Sequence, residues 1–129
     1  MDSLSELHLV KGMTDDIYRK VSPYVTVASN GKININTAEP IVLQALGFDE
    51  NAVKKLIENR PFTKTSDLYN FMKQGELTQA YSRNQDLFTI KSDTFSVESR
   101  GKVHDVEKTV QSLLIRSGGI VTIKTWRVE

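Results

Sequence analysis

The chain has 129 residues, 39% hydrophobic and 26% charged, with seventeen basic against sixteen acidic side chains for a net charge of +1. That composition is of a globular domain long enough to bury a core. It excludes a disordered tail, a collagen-like fibre and the strongly basic footprint of a nucleic-acid or membrane-attaching surface. The absence of cysteine excludes a disulfide scaffold, thiolate zinc sites and a cysteine nucleophile.

The chain opens on helical spacing at Leu4, Leu7 and Val10 with no cap ahead of it, and so reads as the interior of something longer. No run reaches the ~18 to 20 apolar residues of a membrane-spanning helix, and no signal-peptide succession opens the chain. Residues 1–85 carry ten basic and ten acidic side chains, and the remainder nets +1, so charge does not separate the halves. Pattern does: apolar spacings of three and four give way to β-branched and aromatic alternation.

Asn30-Gly31 marks a turn. Pro40 suits the first position of a helix, where its missing donor costs nothing, and Val42, Leu43, Ala45 and Leu46 supply a short stripe. Gly47 stands where a left-handed C-cap is wanted, and Phe48 closes the turn onto the core. A second helix follows at once, with Asp49 and Glu50 at its positive end and Val53, Leu56 and Ile57 on its inner face, until Pro61 ends it. Thr65 or Ser66 then caps a third helix, with Leu68, Phe71 and Met72 inward, running to about Gly75. The expected core is Leu43, Leu46, Phe48, Val53, Leu56, Ile57, Phe62 and Leu68.

An earlier stretch echoes this hairpin. Gly12-Met13-Thr14-Asp15-Asp16-Ile17-Tyr18 aligns with Gly47-Phe48-Asp49-Glu50-Asn51-Ala52-Val53, the two glycines 35 residues apart. From about Thr89, Phe95, Val97 and Val103 fall on one parity, with Gly101 between them as a bulge. Gly118-Gly119 signals a hairpin into a strand over Ile120 to Val128. Val106, Val110, Leu113 and Leu114 also fit a helix, but the short Gly-Gly link favours a strand paired with the last one. The expected fold is α+β: a helical domain over 1–85 with two hairpin units, the second over about 36–75, then antiparallel strands over 86–129.

Catalytic chemistry has little to work with. The near-neutral bases are His8 and His104, 96 residues apart, and neither has a nucleophile and orienting group at useful spacing. No site is assigned for catalysis, cofactor or metal: Asp15, Asp16, Asp49, Glu50, Asp86 and Asp93 fall in no EF-hand spacing, and no phosphate-cradling glycine loop is present. The rival is nucleic-acid binding, since a hairpin turn can offer its amides to a phosphate. Asp49 would face that phosphate as a like charge. From Thr37 to Tyr69 four basic residues meet five acids, and Lys54 and Lys55 read as a solvated face.

Two families share these residues. Ile33-Asn34-Ile35-Asn36-Thr37-Ala38, Leu43-x-x-Leu46-Gly47-Phe48, Val53-x-x-Leu56-Ile57-x-x-Arg60-Pro61-Phe62 and Asp67-Leu68 resemble the helix-hairpin-helix unit of competence DNA receptors. They also resemble the inserted SAM-like helical domain of the type II secretion system protein K family. The upstream residues Glu6-Leu7, Val10-x-Gly12-Met13-Thr14, Tyr18 and Val21-x-Pro23-Tyr24-Val25-Thr26-Val27, together with the β-rich tail from Phe95-Ser96-Val97 to Trp126-Arg127, favour the second. The resemblance implies a non-enzymatic minor pseudopilin acting by protein-protein interaction at the pseudopilus tip, with a pilin-like sheet. Its implied partners are the I and J minor pseudopilins and secreted substrates. It implies a periplasmic location and an inner-membrane anchor through an N-terminal helix that this chain does not contain. Some relatives hold calcium, so the resemblance implies a structural calcium whose ligands are not matched to any position of this sequence. Asp49 and Val53 depart from the DNA-binding pattern, so the competence-type module stands as the alternative.

Overall fold

The structure, a computed structural model, describes residues 3–129; Met1 and Asp2, at the head of the expected helical domain, lie outside the described residues. The architecture is α+β and divides into two compact units, one ending at Ile90 and the other spanning Lys91–Glu129.

In the first unit a 3-10 helix, Leu4–Leu9, precedes α1, Asp15–Val21, and contrary to the sequence reading it has a cap, since the Ser3 hydroxyl accepts from the Ser5 amide at 3.3 Å. Gly12 takes a left-handed φ of 90° and the Thr14 hydroxyl accepts from the Ile17 amide at 3.2 Å. The local geometry of the Gly47 turn is therefore repeated. A packed hairpin is not, because neither helix buries a side chain and the first is 3-10 rather than α. Strand β1, Ile33–Asn34, leads into α2, Pro40–Ala45, and α3, Glu50–Glu58, with Pro40 at the start of α2 as the sequence predicts. Gly47, at φ 99°, turns the chain between them, and Phe48 is buried. Next come α4, Thr65–Met72, and α5, Thr78–Asn84. No side chain caps α4. Thr65 lies inside the helix and Lys64 occupies the cap position, so the expected Thr65 or Ser66 cap is corrected.

The core gathers Ile35, Leu43, Phe48, Val53, Leu56, Phe62, Leu68, Met72 and Leu77 around Ala52 and Ala80. Ile57, expected inside, is exposed, and Leu46 packs against the core while only partly buried. Strand β2, Phe88–Thr89, pairs in parallel with β1, and the Phe88 ring lies 5.9 Å from Phe48 and 5.8 Å from Tyr81. These contacts tie residues 85–90 to the helical unit, so it extends past the boundary at 85 that the change of pattern suggests.

Asn36 is the polar keystone of this unit. Its side-chain amide donates to the carbonyls of Phe62 and Ile90, both at 2.9 Å, and its Oδ1 accepts from the Phe62 amide at 2.7 Å. Asn34 prepares it by accepting from the Asn36 amide at 2.9 Å, a local turn characteristic of asparagine. At the far end, Asn84 donates to the carbonyls of Leu46 and Ala80 at 2.9 and 3.0 Å. Arg60 donates to the Ala38 carbonyl at 2.6 Å, and burial lowers the pKa of its guanidinium.

The second unit is a three-stranded antiparallel sheet in the order β3, Thr94–Val103, β4, Val106–Ser117, and β5, Ile120–Val128. Gly118 and Gly119, at φ 57° and 81°, supply the left-handed turn that joins β4 to β5 without splaying them. The segment from Val106 is thus a strand, as the short link argues. Gly101 pairs directly with Lys108, so the expected bulge is absent there. The register shift lies instead between Leu113 and Leu114, against β5.

Candidate interaction surface

The turn that would meet a phosphate in a DNA-binding hairpin is already occupied. The Asp49 carboxylate accepts from the Ala52 amide at 2.8 Å, so a negative side chain of the protein sits at the positive end of α3. Lys55 is engaged by Glu76 at 2.6 Å and Lys54 lies 3.9 Å from Glu58, so both lysines face carboxylates of their own chain. Hydrogen bonding and the negative charge of Glu76 raise the pKa of Lys55. Asp49, Lys54 and Lys55 thus each have a partner within their own chain.

The two histidines belong to different units. The His8 ring lies tilted against Tyr18 with centroids 4.1 Å apart, and its Nδ1 lies 3.6 Å from Asp15. His104 occupies the β3–β4 turn with φ 52°. Asp15 and Asp16 lie in the first turn of α1, Asp49 and Glu50 begin α3, Asp86 follows α5, and Asp93 lies 3.5 Å from Arg116. Among the described residues no three His, Asp or Glu side chains converge to hold a metal ion.

What distinguishes the molecule is the second unit. Among its described residues none is buried, although the strands are ten, twelve and nine residues long. Residues directly opposite each other share a face. Phe95 faces Leu114, Val97 faces Ser112 and Val103 faces Val106. Across the other pairing Val110 faces Val128, Ser112 faces Trp126, Leu114 faces Ile123 and Arg116 faces Val121. One side of the sheet is therefore largely apolar, interrupted by Ser99, Gly101, Lys108 and Ser112 and ending at Arg116. Trp126 is 67% exposed there and Ile123 62%.

The register shift has a specific consequence. Positions 123 and 126 differ by an odd number and would point to opposite faces of a regular strand. The irregularity between them returns both to the apolar side. Arg116, at one end of this face, sits 5.6 Å from the Phe95 ring and donates to the Ser92 carbonyl at 2.7 Å.

The opposite face is mostly polar, with Leu113, Ile115 and Ile120 among its residues. Glu98 takes Arg100 at 2.8 Å, Gln111 donates to Glu98 at 3.4 Å, and Arg127 donates to Gln111 at 2.6 Å and lies 3.0 Å from Glu129. These residues form a ladder across all three strands, and Glu98, Gln111 and Arg127 line an open groove of about 580 Å³ together with Ser96, Leu113 and Thr125 and with Val97, Ser112 and Trp126 of the other face. The ladder satisfies its own charges and is a solvated face. The apolar side has no covering element within its own unit.

The chain matches no family model. It is 32% identical over 133 aligned residues to the type II secretion system protein K of Pectobacterium carotovorum subsp. carotovorum, an alignment covering 95% of this chain and 40% of that protein. The protein of the same name from Dickeya chrysanthemi is 29% identical over 133 residues, covering 96% and 38%. The chain thus spans about two fifths of the length of these curated relatives. Its fold matches a chain of the crystal structure of the GspK-GspI-GspJ complex from the type 2 secretion system of enterotoxigenic Escherichia coli. That match has a TM-score of 0.76 at 26% identity and covers 100% of this chain and 48% of that one. The resemblance to protein K, read from the Ile33 to Leu68 motifs and their upstream context, is borne out over nearly the whole chain.

Proposed function

We propose that this chain, a relative of type II secretion system protein K over most of its own length, is the periplasmic portion of a minor pseudopilin. In this reading it is a non-enzymatic part of a type II secretion machine. It acts by shape and apolar contact at the pseudopilus tip, and its partners are the I- and J-type minor pseudopilins. The observation that carries the reading is the match of the entire chain to a chain solved in a GspK-GspI-GspJ assembly. The geometry supports it from two sides. The hairpin turn that a DNA-binding module needs open to phosphate is filled by Asp49, and the sheet presents an apolar face with no cover of its own. Among the described residues no helix is long and apolar enough to cross a membrane.

The test is co-expression of the chain, in its native reading frame, with the I- and J-type minor pseudopilins of the same organism, followed by size-exclusion chromatography. The three proteins are expected to elute together in moderate salt, because the contact is apolar rather than ionic. Elution of the chain apart from an intact I–J pair at every concentration tried overturns the proposal. Retention of duplex DNA with steep salt dependence would instead establish the hairpin module.

A further inference from the structure

We draw no further inference here: the strongest candidate, the exposed apolar face of the three-stranded sheet around Val97, Leu114, Ile123 and Trp126, belongs to the interaction surface already described, and nothing in the structure shows what covers it.

Discussion

The helical unit and the sheet solve the same problem to different degrees. In the first, eleven side chains from Ile35 to Ala80 form a core and asparagines tie the loops around it. In the second, three strands satisfy one another's backbone groups while their apolar side chains stay in solvent. Hydrogen bonding alone contributes little net stability to an exposed sheet, since water competes for the same groups. An isolated two-stranded hairpin is marginal in water, and further strands with a hydrophobic face, or a helix packed on them, are what make a sheet stable. The contrast teaches that the helical unit buries its apolar side chains against one another, while the sheet leaves its own without a cover inside its unit.

Matched truncations in the two units test that contrast most directly. Phe48→Ala removes a buried ring and is expected to cost ~3 to 5 kcal/mol, seen as a lower denaturant midpoint for the helical signal in circular dichroism. Ile123→Ala, on the exposed face, is expected to change stability by no more than about 0.5 kcal/mol. Trp126 is the chain's single tryptophan, so its fluorescence follows the sheet separately. A cost at Ile123 equal to that at Phe48 would mean that the sheet face is already covered in solution, and the comparison would collapse.

Asn36 offers the next largest effect. Its amide serves two carbonyls and its oxygen serves one amide, so Asn36→Ala leaves three partly buried backbone groups without their partner. The expected loss is about 2 to 3 kcal/mol, confined to the helical transition. Asn36→Asp keeps the shape but cannot donate, and a carboxylate would face the Phe62 and Ile90 carbonyls, so it should be at least as damaging. An Asp variant as stable as the parent would show that the two donated bonds contribute nothing.

How much of this was legible in the sequence depends on whether the signal was local. Pro40, Gly47 and Asp49 mark the ends of α2 and α3 through backbone chemistry that any chain obeys, so those helices could be read directly. The fifth helix, α5, could not. It buries only Ala80 and has no side-chain cap, so neither period nor punctuation announces it. Strands β1 and β2 are two residues each and exist because Phe88 docks near Phe48, a tertiary fact. Asn36 stood out as part of a motif, but its role depends on Phe62 and Ile90, far along the chain. The apolar side of the sheet was half visible: parity gave Phe95, Val97 and Val103, whereas Ile123 and Trp126 share a face only through a register shift that no residue type signals.

The two capped turns make a finer contrast within the helical unit. Asp49 caps α3, which buries Ala52, Val53 and Leu56, while Thr14 caps α1, which buries nothing. Asp49→Ala is expected to cost about 1 kcal/mol of global stability, because fraying α3 loosens the core. Thr14→Ala is expected to raise amide exchange within α1 and leave the denaturation midpoint unmoved, since a helix without buried contacts opens locally. Equal midpoint shifts would mean that α1 is coupled to the core after all.

Smallest of all is the ion pair between Lys55 on α3 and Glu76 in the turn before α5. Its geometry is close, yet both side chains reach solvent, where water and salt screen the attraction. The sign of its pH dependence follows from the raised pKa of Lys55. A lysine held protonated by folding contributes its full share below the ordinary lysine value of about 10.4 and loses it as pH climbs through the raised folded value. Glu76→Gln is therefore expected to leave the denaturation midpoint nearly unchanged from neutral pH to pH ~9, with the small difference from the parent vanishing at higher alkalinity. A difference that grew with pH would reverse the sign and show that another group is responsible. A large constant difference would show that Glu76 supports the turn before α5 by packing, because neither screening nor deprotonation of Lys55 could then remove its effect.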